Sequence, residues 1–248
     1  MTKKILITGA NGQLGHEMRN ALKGNNRFEC IFTDVAELDI CNTEAVKQTM
    51  ANNHIDYIVN CAAYTQVDKA EDNAELCKKI NTDAVENLAR AAADYGARMI
   101  HISTDYVFNG RGYRPYTEDM VPDPQSVYGS TKLEGEKILT DICPESIIIR
   151  TAWLYSPYGN NFVKTMLHLG EEREELSVVA DQIGTPTCAA DLAQAILVIL
   201  QADTFVPGTY HFSDEGVCSW YDFTVTIHRL AGITTVSYTH LTLPTKLE

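Results

Sequence analysis

The sequence predicts an α/β fold, a doubly wound parallel sheet with a smaller C-terminal lobe. Three observations carry that prediction. Over the first 150 residues, short continuous apolar runs alternate with stretches of helical period, the pattern of strands covered by helices on both faces. Leu76, Ile80, Ala84 and Leu88 recur at four-residue steps, which predicts one apolar face of an amphipathic helix. Gly9, Gly12 and Gly15 fall between the first apolar run and the first helical stretch, where a strand must turn tightly into a helix. Crossovers between parallel strands are right-handed, so such a chain opens its ligand crevice at the carboxyl ends of the strands.

The elements follow in order. Ile5-Leu6-Ile7 makes the first strand (5–8), and the helix after the glycines runs to about Leu22. Further buried strands are predicted at 30–34, 57–60, 99–103 and 147–150, with the long amphipathic helix between the third and fourth. Residues 109–125 hold Gly110, Gly112, Pro115, Pro122 and Pro124 and read as a loop. Beyond Thr151 the pattern is less regular, with helices at 161–169 and 189–201 and a short strand at 208–212. The predicted division is a domain over 1–150, an interleaved lobe over 151–235, and a tail over 236–248. Residues 233–248 are rich in threonine, without helical period or an obvious partner strand.

Composition bounds the function. The chain has 248 residues, 45% of them apolar and 21% charged, enough for one large domain with a real core. A net charge of −13 argues against a nucleic-acid partner, because no cationic surface is available to displace counterions. No apolar run approaches the roughly 18–20 residues of a membrane span, and the apolar run at the start is shorter than that of a signal peptide. Seven cysteines, odd in number and never spaced C-x-x-C, read as reduced, mostly buried thiols of a cytoplasmic protein. The seven histidines show no metal-binding spacing and are expected in surface or structural roles.

The chemistry gathers at four places. The G-x-x-G-x-x-G loop, in its strand–turn–helix context, predicts a dinucleotide site of Rossmann type. Gly9 makes the turn, Gly12 lets backbone approach a pyrophosphate, and Gly15 lets helix pack on strand. Asp34 ends the second strand, where a carboxylate accepts from an adenosine ribose, and no arginine follows closely to welcome a 2′-phosphate. This leans toward NADH, or toward dual use with NADPH. Tyr128 and Lys132 stand four apart, on one helix face. An ammonium beside a phenol lowers its pKa, so the Tyr can deliver a proton to a carbonyl oxygen as hydride reaches the carbon. Thr104 and Asp105 follow the fourth strand and face the same crevice.

These residues resemble the extended branch of the short-chain dehydrogenase/reductases. Longer strings narrow the resemblance: 60–65 (NCAAYT), 67–71 (VDKAE), 103–108 (STDYVF), 150–155 (RTAWLY), 160–166 (NNFVKTM) and 181–187 (DQIGTPT). They are similar to the dTDP-4-dehydrorhamnose reductase family over about residues 3–232. The resemblance implies reduction of the 4-keto group of dTDP-4-dehydro-L-rhamnose to dTDP-L-rhamnose with NADH or NADPH. It implies that Gly12, Gln13 and Leu14 line the pyrophosphate, that Asp34, Asp39 and Ile40 hold the adenosine end, and that Ala63, Tyr64 and Thr65 lie along the cofactor. It further implies that Thr104, Asp105 and Trp153 meet the sugar, that Tyr128 is the proton donor, and that Lys132 holds both Tyr128 and the nicotinamide ribose.

Other readings within the branch are a 4-epimerase, a 4,6-dehydratase or a non-catalytic regulatory homologue. Dehydratases carry an acidic pair after the threonine, whereas here Asp105 is followed by Tyr106. Some family members bind Mg²⁺ with glutamates at a dimer interface. Glu17 matches one of these, but Ala190 stands where another is expected, which counts against a metal. The resemblance implies a homodimer for the full-length protein. The family continues past residue 232, and 236–248 does not match that continuation. The chain is therefore read as truncated, with a foreign tail and impaired turnover.

Overall fold

The computed structural model describes residues 2–240. The first half runs β1 (Lys3–Thr8), α1 (Gln13–Ala21), β2 (Phe28–Thr33), α2 (Thr43–Asn53), β3 (Tyr57–Asn60), α3 (Val67–Asp72), α4 (Ala74–Lys78), a π-turn (Lys79–Asp83), α5 (Ala84–Tyr95) and β4 (Arg98–Thr104). A 3-10 turn (Asp105–Val107) and the expected loop lead into α6 (Val127–Ile142) and β5 (Ile147–Thr151). The remainder is β6 (Leu154–Tyr155), α7 (Phe162–Glu172), β7 (Glu175–Val179), β8 (Ile183–Gly184), β9 (Thr187–Cys188), α8 (Ala189–Gln201), β10 (Gly208–His211), β11 (Cys218–Ser219), α9 (Trp220–Ala231) and β12 (Val236–His240).

Six parallel strands form the central sheet in the order β10-β5-β4-β3-β1-β2. The order reverses between β1 and β3, where crossovers leave to opposite faces and a crevice opens at the strand ends. Two cores cover the faces. One packs Val46, Met50, Leu88, Met99 and Leu139, and the other packs Ile5, Met18, Ile100, Leu192 and Ile196. The five predicted strands all form, each within two residues of its expected bounds. The predicted sixth strand joins the same sheet through β10, and α8 packs on α1. Residues well past 150 thus complete the first layer, and the remaining elements build a lobe over the strand ends.

Three expectations are corrected. The four-residue spacing predicts Leu76 in the core, yet Leu76 is 47% exposed. Its helix passes through the π-turn at Lys79–Asp83, where one extra residue per turn rotates everything before it off the face that carries Ala84 and Leu88. Cys77 is buried in its place. The thiols are all free, but only Cys77 and Cys143 are buried. Finally, residues 236–240 do have a partner strand: β12 runs parallel to β7, with Tyr238 opposite Ser177. Residues 241–248 of the predicted tail lie outside the described residues.

Candidate active site

A cavity of about 580 Å³ opens at the switch point, lined among others by Gly9, Gly12, Asp34, Asp39, Ile40 and Ala63. Its floor is backbone. Gly9 has φ +64°, and a Cβ there would sit 2.6 Å from the Ala62 nitrogen. A Cβ on Gly15 would sit 2.3 Å from the Gly9 carbonyl oxygen, so α1 packs on the loop only because residue 15 has no side chain. Gly12 begins α1 with no side-chain cap, and a helix start of this kind suits an anion such as pyrophosphate. The cradle therefore fits a dinucleotide. Leu14 has its side chain in the core, which leaves its backbone for any ligand. The Gln13 side chain turns toward the second lobe, accepting from Asn161 Nδ2 at 2.9 Å and Ser156 Oγ at 3.2 Å.

Asp34 lines the cavity, but its carboxylate also braces the loop, accepting from the Asn11 N–H at 2.9 Å and the Val35 N–H at 2.8 Å. Leu76, Lys79 and Ile80 form a wall that four-residue periodicity does not foresee. They face the cavity because the π-turn rotates them there. Cys41 and Cys61, both half-buried, also line it; desolvation by the surrounding protein pushes the Cys61 thiol up to about 12, which keeps it protonated. Tyr64 is clamped by Asn81, which accepts from its N–H at 2.9 Å and donates to its carbonyl at 3.1 Å. Its side chain packs against the cluster of Ala70, Cys77 and Tyr128. Thr65 is exposed and does not line the cavity.

The second half of the site is built from side chains. Ser126 caps α6 by accepting from the Gly129 N–H at 3.1 Å, and Tyr128, Lys132 and Glu136 follow on one face at successive turns. A Cβ on Gly129 would meet the Tyr106 carbonyl oxygen at 2.2 Å, so α6 sits directly against the 3-10 turn that follows β4. Tyr128 is 9% exposed, Thr104 5% and Lys132 1%. Thr104 donates to Asp105 Oδ1 at 3.1 Å and accepts from the Tyr106 N–H at 3.2 Å, and its hydroxyl pulls the Tyr128 phenol pKa down. Burial raises the Asp105 carboxyl to about 6, against the opposing pull of the Thr104 hydrogen bond. Tyr106 meets Tyr128 edge to face, with centroids 5.5 Å apart.

The pairing of Tyr128 with Lys132 differs from expectation. The i, i+4 spacing predicts an ammonium that lowers the phenol pKa. Instead, burial dominates and pushes Tyr128 up, only partly offset by Thr104. The Lys132 ammonium donates to the Ile102 carbonyl at 2.6 Å and lies 3.4 Å from His101 Nε2. Burial lowers Lys132 to about 8, with Glu136 pulling it back up. Glu136, absent from the sequence-based candidates, forms a buried pair with Arg150 at 2.7 Å and accepts from Ser103. Its signal was available: it stands one turn beyond Lys132 on the same face.

Trp153 lies at the edge of the second lobe with φ +48°, one of two non-glycine residues with positive φ among those described. Its ring stacks on Trp220, centroids 3.4 Å apart, and a Cβ on Gly184 would meet it at 2.5 Å. The tryptophan expected against a sugar is thus seated in an aromatic group with Trp220 and Phe162.

Comparison with known proteins agrees with this geometry. The family model described as RmlD substrate binding domain matches residues 3–246, reaching into the segment expected to be foreign. A curated dTDP-4-dehydrorhamnose reductase from Escherichia coli K12 is 46% identical over 240 residues, 92% of this chain and 79% of that protein. One from Aggregatibacter actinomycetemcomitans is 43% identical over 228 residues, 90% and 78% of the two chains. The solved Clostridium acetobutylicum reductase superposes with a TM-score of 0.93 at 50% identity, covering 96% of this chain and 84% of that one. The Bacillus anthracis reductase, solved in complex with NADP, gives 0.94 at 42% identity, covering 98% and 85%. A dinucleotide cradle and a buried Thr–Tyr–Lys group on one crevice, with likeness at this level along nearly the whole chain, mean that the chain belongs to the RmlD family, that of the dTDP-4-dehydrorhamnose reductases.

Proposed function

We propose that this chain reduces the 4-keto group of dTDP-4-dehydro-L-rhamnose to dTDP-L-rhamnose, with a nicotinamide cofactor held in the glycine cradle. The observation that carries the reading is the buried group of Thr104, Tyr128 and Lys132 at the carboxyl end of β4, beside that cradle. The bound cofactor would supply the hydride. The chain's own residues do the rest. Gly9, Gly12 and Gly15 keep side chains out of the way, with backbone from Gly12, Gln13 and Leu14 at the pyrophosphate. Asp34, Asp39 and Ile40 meet the adenosine end, and Ala63 and Tyr64 lie along the cofactor, with Thr65 outside the cavity lining and able to reach it only from the rim. Tyr128 delivers its proton to the carbonyl oxygen, and Thr104 donates to that oxygen as charge grows on it. The Lys132 cation steadies the phenolate and holds the nicotinamide ribose. Asp105 and Trp153 contact the sugar.

On the cofactor, NADH is used at least as well as NADPH. The Asp34 carboxylate lines the adenosine end of the cavity, and a carboxylate near a 2′-phosphate repels it. The test is oxidation of NADH and NADPH with dTDP-4-dehydrorhamnose generated in situ, against UDP- and GDP-linked 4-keto sugars. Turnover is expected with the dTDP sugar. Absence of turnover with any of these sugars by a full-length version would sink the reading, and a kcat/KM more than about a hundredfold higher for NADPH would refute the cofactor assignment. The tail 236–248 and a homodimer are tested together by sedimentation of the chain with and without those residues; a foreign tail predicts no change.

A further inference from the structure

Behind Lys132 a buried polar chain crosses the sheet from β1 to α6, and none of it is explained by ligand contact. Thr8 Oγ1 donates to Asn60 Oδ1 at 2.6 Å, Asn60 Nδ2 lies 3.0 Å from His101 Nδ1, and His101 Nε2 lies 3.4 Å from Lys132 Nζ. Asn60 and His101 are completely buried. The direction of each hydrogen bond follows from one fixed donor. The backbone N–H of Ala62 meets Asn60 Oδ1 at 3.2 Å, and a backbone N–H can only donate, so that amide atom is the oxygen. The other amide atom is then a donor, and His101 Nδ1 must accept from it. The single proton of the neutral imidazole therefore sits on Nε2, pointing at Lys132. A doubly protonated ring would bring two donors together at Nδ1. Burial and the neighbouring Lys132 hold the His101 pKa well below its ordinary value.

We propose that His101, locked by Asn60 with its Nε2–H toward Lys132, is a positioning residue that weakens the hold of Lys132 on its ammonium proton. An ammonium meets that N–H donor to donor, whereas an amine accepts from it through its lone pair while still donating to the Ile102 carbonyl. The other titratable groups facing Lys132 are Tyr128 and Glu136 on its own helix and Cys77 on α4; burial keeps the phenol protonated, and Glu136 is already committed to Arg150. The proposal rests on the reductase reading for its consequence, because an easily lost ammonium proton places the alkaline limit of the reaction in the working range. The hydrogen-bond logic itself does not depend on the substrate.

The experiment measures the Lys132 pKa by the 13Cε shift in 13C-lysine-labelled protein, assigned by the signal lost in Lys132→Met. His101→Asn keeps an acceptor for Asn60 and withdraws the N–H from Lys132. Asn60→Asp keeps the bonds from Thr8 and Ala62 but presents a carboxylate to Nδ1, which draws the proton to that side and turns Nε2 into an acceptor. Both variants are expected to raise the Lys132 pKa by at least about half a unit, and the alkaline limb of kcat should follow it. In 15N-histidine-labelled wild type, His101 should show a bare Nδ1 and a protonated Nε2 between about pH 6 and 9. A protonated Nδ1 in the wild type, or an unmoved Lys132 pKa in whichever variant folds, overturns the proposal. Wild type inert toward the dTDP sugar but with these shifts present would instead overturn the functional reading alone.

Discussion

The two halves of the site are made from opposite materials. The cradle between β1 and α1 is backbone, and its requirement is that side chains be missing: Gly9 and Gly15 each leave a Cβ position inside 3 Å of other main-chain atoms. The row along α6 is made of long side chains, with Tyr128, Lys132 and Glu136 all buried against β4. The cradle should fail through shape, with little regard to charge. The row should fail through protonation, with shape intact. A variant in one half should therefore leave the other's signature readable.

The largest expected effect tests the row. Tyr128→Phe keeps the ring and its packing on Tyr106 and removes only the proton donor. It should lower kcat by about 10²–10⁴-fold with the dissociation constant for NADH nearly unchanged. A Phe variant within about threefold of wild type would mean that another group delivers the proton. Lys132→Met should differ, weakening cofactor binding as well as kcat. Thr104→Val comes next, at about 10–100-fold in kcat, since one hydrogen bond to a developing charge is lost. An unchanged kcat with a raised KM would assign Thr104 to ground-state binding instead.

Gly15→Ala tests the cradle. Its methyl would be driven onto backbone, with no flexible side chain to give way, so a loss of about 1–3 kcal/mol in stability is expected, together with weaker NADH binding. The pH profile of kcat/KM should keep its wild-type shape. A changed profile would show that the halves are not separable.

A further effect is a pH dependence of stability from Asp105. Its carboxyl rises from 3.8 to about 6 on folding, so the folded state binds the extra proton between those values. Stability should fall as pH rises through that window and level off above it. Asp105→Asn should flatten this part of the Tm–pH curve, and an equal slope in both proteins would show that Asp105 does not sense folding.

Sequence alone foreshadows these halves unequally. Gly9, Gly12 and Gly15 were legible because a strand–turn–helix leaves few options for the backbone, and the same holds for the buried strands, whose apolar runs are continuous. The Tyr128–Lys132 spacing was legible as a shared helix face, but not the ammonium's direction, which is set by the Ile102 carbonyl on a different element. His101 reads as one more polar residue in a strand until Asn60 is seen beside it. β12 was invisible because its partner, β7, lies some sixty residues upstream and local periodicity carries no record of such pairing. Trp153 was legible as an aromatic near the site, and its stacking on Trp220 was not.

The π-turn at Lys79–Asp83 bears on how this chain tolerates insertion and deletion. One helix serves two clients, with Leu76 and Ile80 on the cavity and Ala84 and Leu88 on the core, and the extra residue lets both be faced from one continuous rod. Asn81, within the turn, also fastens Tyr64. Straightening the turn at fixed length would swing the cavity wall by about 100° relative to the core face, whereas removing one residue there would restore an ordinary helix and shorten one of the four-residue steps to three. The helix thus carries one residue more than a regular rod needs, and what that residue supplies is Asn81 and its hold on Tyr64.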